Sequence, residues 1–286
     1  MNPSVSTDEA NKTTSLIPRE GWHVVHLFYS VDHSQWATFS REEKRAAKTN
    51  LAELVQEIRS HSDDTHLLVF AVATPKADVG FMLLTPDLQD ATAFEKRLTL
   101  SLGPDVLQPT YSYLSMTERS EYTTTPEQFA QNTLIAEEGL TEGTPEFEAR
   151  MKDFDKRMAN YLKHRLYPVL PAWPAICFYP MSKRRQPARD YNWYEQDAQD
   201  RAALMRGHAT TGRKYSGKIL QLISGSTGLD EHEWGVTLLA HDTFDIKAIV
   251  YEMRFDDVSS RFGEFGDFYI GMQLPLNELF ERVQLV

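Results

Sequence analysis

The chain has 286 residues, 41% hydrophobic and 25% charged, the composition of an ordinary globular protein with length for one large core or two modest ones. A net charge of −11 and a pI near 5.3 argue against a nucleic-acid binder, which carries a dominant basic footprint. No apolar run approaches the roughly 20 residues that a membrane helix requires, and a single cysteine, Cys177, rules out an intrachain disulfide and suits a reducing compartment.

Residues 1–20 are polar and lack the apolar core of a signal peptide, so they read as a disordered tail and the expected location is the cytoplasm. Trp22–Val31 is rich in β-branched and aromatic residues and reads as a strand. Ser40–Ile58 has helical spacing, with Leu51, Leu54, Val55 and Ile58 on one stripe. HLLVFAVAT and ADVGFMLLTP, separated by a turn at Pro75–Asp78, suggest a hairpin. A helix over Leu88–Leu102 and a strand over TYSYLSMTERSEY follow. Residues 124–172 change character: acidic, Gly- and Pro-bearing turns precede a charged helical run that Pro168 and Pro171 end.

The pattern then recurs. AICFYPMSKRR is strand-like, Asn192–Ala209 is helical, and KILQLISGS with EWGVTLLAHD form a second strand pair. A helix (TFDIKAIVYEMRF) and a strand (DFYIGMQL) close the series. DVGFMLLTPDLQDATAFEKRL aligns without a gap on EWGVTLLAHDTFDIKAIVYEM, with Gly80 opposite Gly235 and Leu83-Leu84 opposite Leu238-Leu239. We read an α+β fold of two ferredoxin-like repeats packed as one body, residues 21–123 and 173–286, joined by a connector over 124–172.

Between Met181 and Lys218 nine Lys or Arg face four Asp or Glu, against the sign of the whole chain. That inversion suits either a solvated basic face or a site for a polyanionic small molecule. Asn192 and Glu195 have capping-box spacing and Gly212 suits a helix end, so His208 leaves the helix beside Leu204 and Met205. An imidazole there is a core or surface residue, or an axial heme ligand. By alternation Cys177, Tyr179, Met181 and Lys183 share a strand face, with Tyr179 and Lys183 about 13 Å apart, the scale of a porphyrin; the alternative is a strand end with a snorkelling lysine. Pro180 lacks the amide hydrogen of a central strand and predicts an edge or bulge. Gln221 is a polar group on a face that otherwise reads as buried, needing a partner in the protein or in a ligand. Arg165, Arg213 and Arg254, with Ser259, are surface residues singly and carboxylate clamps together.

YPMSKRR, NWY, LMRGHATTGR, the GLD and EWGV of the hairpin, and YEMRFDDVSSRFGEFGDFYIG resemble the coproheme decarboxylases of the chlorite dismutase superfamily, from about Trp22 onward. The resemblance implies a dimeric α+β barrel, usually a homopentamer, that uses hydrogen peroxide to convert two propionates of iron coproporphyrin III (coproheme) to vinyl groups, giving heme b. It implies His208 as the axial ligand of the iron, Tyr179 as the tyrosine whose radical takes a hydrogen atom from a propionate, and Lys183 beside the second reacting propionate. It further implies Gln221 as the distal glutamine, and Arg165, Met181, Arg213, Arg254 and Ser259 as substrate contacts. Transient contact with a ferrochelatase is a further expectation, with no nucleic acid or membrane as partner. The connector around 124–164 is longer than the family's, and two extra residues separate Lys183 from His208. Two rivals share the scaffold: a heme carrier or sensor, which has no use for Tyr179, and a chlorite-decomposing enzyme, which uses a distal arginine where this chain has Gln221.

Overall fold

The computed structural model describes residues 15–286, so most of the expected tail lies outside the described residues. Strand β1 (His23–Val31) leads through a short helix α1 (His33–Thr38) to helix α2 (Arg41–Arg59). Ser40 starts α2 with a reciprocal capping box: its hydroxyl accepts the Glu43 N–H while the Glu43 carboxylate accepts the Ser40 N–H. The stripe of Leu51, Leu54, Val55 and Ile58 is the face that α2 buries. Strands β2 (His66–Val72) and β3 (Val79–Thr85) form the expected hairpin. Helix α3 (Leu88–Leu100) and strand β4 (Leu107–Thr117) complete the first unit. β4 starts earlier and stops sooner than the run over 110–122 suggested.

The connector holds a helical turn α4 (Pro126–Gln128) that widens into π-helical geometry over Phe129–Glu137, and then the 22-residue helix α5 (Pro145–Leu166). These pack on each other through a small core of their own, centred on Phe129 stacked upon Phe154 at 4.2 Å.

The second unit runs β5 (Ala175–Lys183), α6 (Ala198–Arg213), β6 (Ile219–Gly225), β7 (Trp234–Ala240) and α7 (Thr243–Met253). A helix α8 (Asp257–Phe262) and a three-residue strand β8 (Gly263–Phe265), unforeseen in the sequence, precede β9 (Tyr269–Gln273) and helix α9 (Leu276–Arg282). Strand order is β4–β1–β3–β2 in the first unit and β9–β5–β7–β6 in the second, the ferredoxin-like order twice. β4 pairs with β6 and β2 with β9, so eight strands close a barrel and β8 adds beside β5. Closure leaves the eight strands without a free edge.

Side chains of both units fill the barrel, among them Phe28, Phe70, Tyr113 and Phe178. Glycine recurs at 80 and 235 for one reason: a Cβ at Gly80 would meet the Phe70 ring at 2.1 Å, and one at Gly235 the Tyr113 ring at 2.8 Å. Outside the barrel, helices cover each sheet in separate apolar layers.

One local expectation fails, and of the edge or bulge expected at Pro180 only a break in one ladder is found. Asn192 does not start the long helix: it caps a separate short turn, Trp193–Glu195, while Asp197 caps α6, which runs through Gly212 to Arg213. Pro180 lies on no edge. On one side β5 pairs continuously with β7; on the other its partner changes from β9, up to Phe178, to β8, from Met181. The missing amide hydrogen of Pro180 falls in that gap, where its carbonyl accepts the Gly266 N–H.

Candidate functional site

The two units differ most where α6 meets β6. The register places Leu67 opposite Leu83 and Gln221 opposite Leu238, so Gln221 occupies the position of Leu67, and Ile223 that of Val69. In the first unit Leu67, Val69 and Ala71 are buried beneath α2. Their counterparts Gln221, Ile223 and Gly225 are half-exposed, and no residue of α6 is buried. Helix and sheet bury each other in one repeat and pack only partly in the other.

On this loosely packed side the outer face of β5, β7 and β6 presents rows of side chains. Cys177, Leu238 and Gln221 form one row, and Tyr179, Val236 and Ile223 the next. Two strand spacings and one pleat separate Tyr179 from Gln221, about 12 Å over an apolar floor. Tyr179 is 4% exposed and stacks on Phe268 at 4.4 Å. Burial raises its phenol pKa, and the charge of Arg254 works against that rise. Cys177 is wholly buried with its thiol pushed up to about 12, which removes it as a nucleophile.

Lys183 ends the row of β5. It is 7% exposed, its ammonium lies 4.9 Å from the centre of the Trp193 ring, and among the described residues it has no ion pair. Burial brings its pKa down to about 8, opposed by the charges of Asp256 and Glu233. A buried ammonium with no carboxylate in ion-pair contact can receive one.

His208 lies on the flank of α6. Its Nδ1 is 2.8 Å from Oδ2 of Asp256, which also accepts the Ser259 N–H through Oδ1 at 2.8 Å. Burial raises the Asp256 carboxyl, but hydrogen bonds from His208 and Ser259 outweigh it and the net shift is downward. With Nδ1–H given to Asp256, Nε2 keeps its lone pair. Gly212, one turn along α6, faces β6: a Cβ there would be 3.9 Å from Oε1 of Gln221. The side-chain amide of Gln221 has no hydrogen bond to any described residue.

Arg165, in the last turn of α5, donates from Nε to the Glu118 carbonyl at 2.9 Å and shares with Gln221 a cavity of about 280 Å³ between α5 and β6. A larger groove of about 690 Å³ runs along the other flank of α6, past His208, with Asp190, Asp200, Asp256 and Asp257 against Arg261. Its acidic wall repels a polycarboxylate, whereas the cavity of Arg165 and Gln221 attracts one. Arg254 lies over the Phe265 ring at 5.0 Å, on the side of Tyr179, and Met181 joins the same apolar layer. Arg213 is exposed and bonded to Thr210, apart from the other arginines. Asp256, Trp193 and Glu233 were missed in the sequence. Asp256 is 48 residues from His208, and no local spacing signals their contact.

Residues 44–274 match the sequence model of the family described as Chlorite dismutase. A protein of Natronomonas pharaonis, named for heme binding, is 39% identical over 262 residues, 91% of this chain; the chain spans 40% of that relative's length. A novel heme-binding protein from Thermus thermophilus superposes with a TM-score of 0.76 at 36% identity, over 95% of this chain and 98% of that one. A mutant chlorite dismutase of Candidatus Nitrospira defluvii shares the fold at a TM-score of 0.68 and 17% identity, over 93% and 97% of the two chains.

Proposed function

The chain belongs to the chlorite dismutase family, and from that premise we propose that it binds iron coproporphyrin III and, with hydrogen peroxide, decarboxylates two of its propionates to vinyl groups, giving heme b. The observation that carries this reading is the loose packing of α6 on β6. A helix with no buried residue, above a strand whose central amide has no partner, fits a flat group slid between them. Its chemistry fits as well: a histidine with its Nδ1 fixed, a buried lysine without a counter-ion and an arginine beside Gln221 suit an iron ringed by carboxylates.

In this reading His208 ligates the iron through Nε2, and Asp256 holds its ring orientation. When bound, the iron porphyrin would supply, with one peroxide per propionate, the two-electron oxidation that each propionate needs. Tyr179 would first give up its phenolic hydrogen atom to the oxidised group and then, as a radical, take one from the propionate carbon, after which loss of a second electron and of carbon dioxide leaves the vinyl group; burial keeps the phenol protonated until that step. Lys183 pairs with the second reacting carboxylate. Arg165, Arg254 and Ser259, with Met181 and Arg213, orient the porphyrin edge. Gln221 offers the oxidant a neutral hydrogen-bonding amide and no fixed cation, which disfavours an oxychlorine anion.

We further propose a homo-oligomer. Phe244, Tyr251 and Phe255 are 69%, 63% and 71% exposed along one side of α7 and its end, a stripe that a second copy would cover. No helix among the described residues is long and apolar enough to cross a membrane. Tyr179→Phe tests the catalytic reading. The variant should bind coproheme as tightly as the wild type and lose decarboxylation; full activity would remove the hydrogen-abstraction role.

A further inference from the structure

Glu233, in the turn between β6 and β7, carries a carboxylate that the mechanism above does not use, and its side chain is 4% exposed. Both oxygens are engaged. Oε2 accepts the backbone N–H of Lys183 at 2.7 Å, and Oε1 accepts from the Arg185 guanidinium at 2.8 Å and from the Tyr194 hydroxyl. The backbone of Glu233 joins the same seam: its N–H donates to the Met181 carbonyl at 3.1 Å. One carboxylate thus ties the end of β5 to the turn over Trp193–Glu195, whose indole lies beside the Lys183 ammonium.

Burying this charge against a single arginine that is itself 65% exposed is costly, and the three donors on its two oxygens call for a carboxylate, since an amide has one accepting oxygen. We propose that Glu233 is the positioning residue for Lys183, fixing its backbone and the Trp193 turn and supplying the negative charge that favours its ammonium form, ready for a substrate carboxylate. The identity of that carboxylate rests on the decarboxylase reading; the link between Glu233 and Lys183 does not.

The charged groups that face Lys183 are Asp256, before α8, and Glu233, from the β6–β7 turn. Of its cationic neighbours, Arg184 lies 3.5 Å from Glu264 and Arg185 is paired with Glu233; the Tyr194 proton is held by Glu233. Burial pulls Lys183 down to about 8 while the two carboxylates hold it up. Glutamine at 233, with its oxygen toward the Lys183 N–H and its NH2 toward the oxygen of the Tyr194 hydroxyl, keeps that bond and removes the charge, so Lys183 would become a neutral amine at a lower pH. A neutral amine gives a carboxylate no ion pair.

The experiment titrates the full chain, labelled with ¹³C at lysine Cε, by NMR, with Lys183 assigned from the peak lost in Lys183→Arg. We expect the Lys183 midpoint to fall by about one pH unit in Glu233→Gln, and to hold in Tyr194→Phe, which keeps the carboxylate charge. The other lysine peaks report that each variant is folded. Equal midpoints in wild type and Glu233→Gln would overturn the proposal. In the same samples, quenching of coproporphyrin III fluorescence should show affinity declining at lower pH in Glu233→Gln than in wild type. A moved midpoint with no binding of coproporphyrin III by either protein would count against the decarboxylase reading and leave the Glu233–Lys183 link standing.

Discussion

His26→Phe isolates the energetic effect of an imidazole sealed in the barrel. His26 is fully buried; its Nε2 is 2.8 Å from the Thr237 hydroxyl, its ring stacks on Phe178 at 4.0 Å, and its Nδ1 has no partner among the described residues. Burial lowers its pKa from 6.5 to about 3. As pH falls through 6.5 the unfolded chain takes up a proton that the folded barrel refuses until about 3, so stability is full above 6.5 and is lost steadily below it. From pH 7.5 to pH 5 the span is about 1.5 units below the unfolded value, worth about 2 kcal/mol. Phenylalanine cannot protonate in either state. Urea unfolding followed by tryptophan fluorescence should show the variant weaker at pH 7.5, by about 1–3 kcal/mol for the unpaired Thr237 hydroxyl, yet losing about 2 kcal/mol less than the wild type on going to pH 5. The lowered histidines His23 and His66 are common to both proteins and cancel in this difference. An identical pH dependence in the two proteins would refute the argument.

Asp256→Asn should weaken iron coordination by His208 about 10- to 100-fold, because the ring loses the carboxylate that fixes its tautomer; an unchanged iron–histidine stretching frequency would contradict this. Gln221→Leu installs the residue that the first repeat carries at the matching position. It should stabilise the ligand-free protein by about 1 kcal/mol in urea unfolding while weakening coproheme binding, and a loss of stability would show that the space beneath α6 is not an apolar slot.

Much of this arrangement is legible in the sequence because it is local or periodic. The gap-free alignment of residues 78–98 on 233–253 reveals the repeat, and in the structure β3–α3 and β7–α7 are its matching pieces. Alternation along β5 puts Tyr179, Met181 and Lys183 on one face, where they are found. The start of α6 is misplaced in the sequence reading because Asn192 and Asp197 are both competent caps five residues apart, and tertiary contacts of Trp193 with Lys183 and Phe262 select the second. The Gln221 face reads as buried since Ile219 and Ile223 flank it, and only comparison with Leu67 and Val69 shows it half-open. Asp256 and Glu233 act across 48 and 50 residues through the barrel's closure, which no window along the chain encloses. The π-helical stretch has no sequence signal that we recognise.

The most direct test adds iron coproporphyrin III to the purified protein, titrates hydrogen peroxide and follows the mass of the porphyrin. The account predicts stepwise loss of two carboxyl groups ending in heme b. Tight binding with only bleaching of the porphyrin would contradict it and point to a heme carrier or sensor.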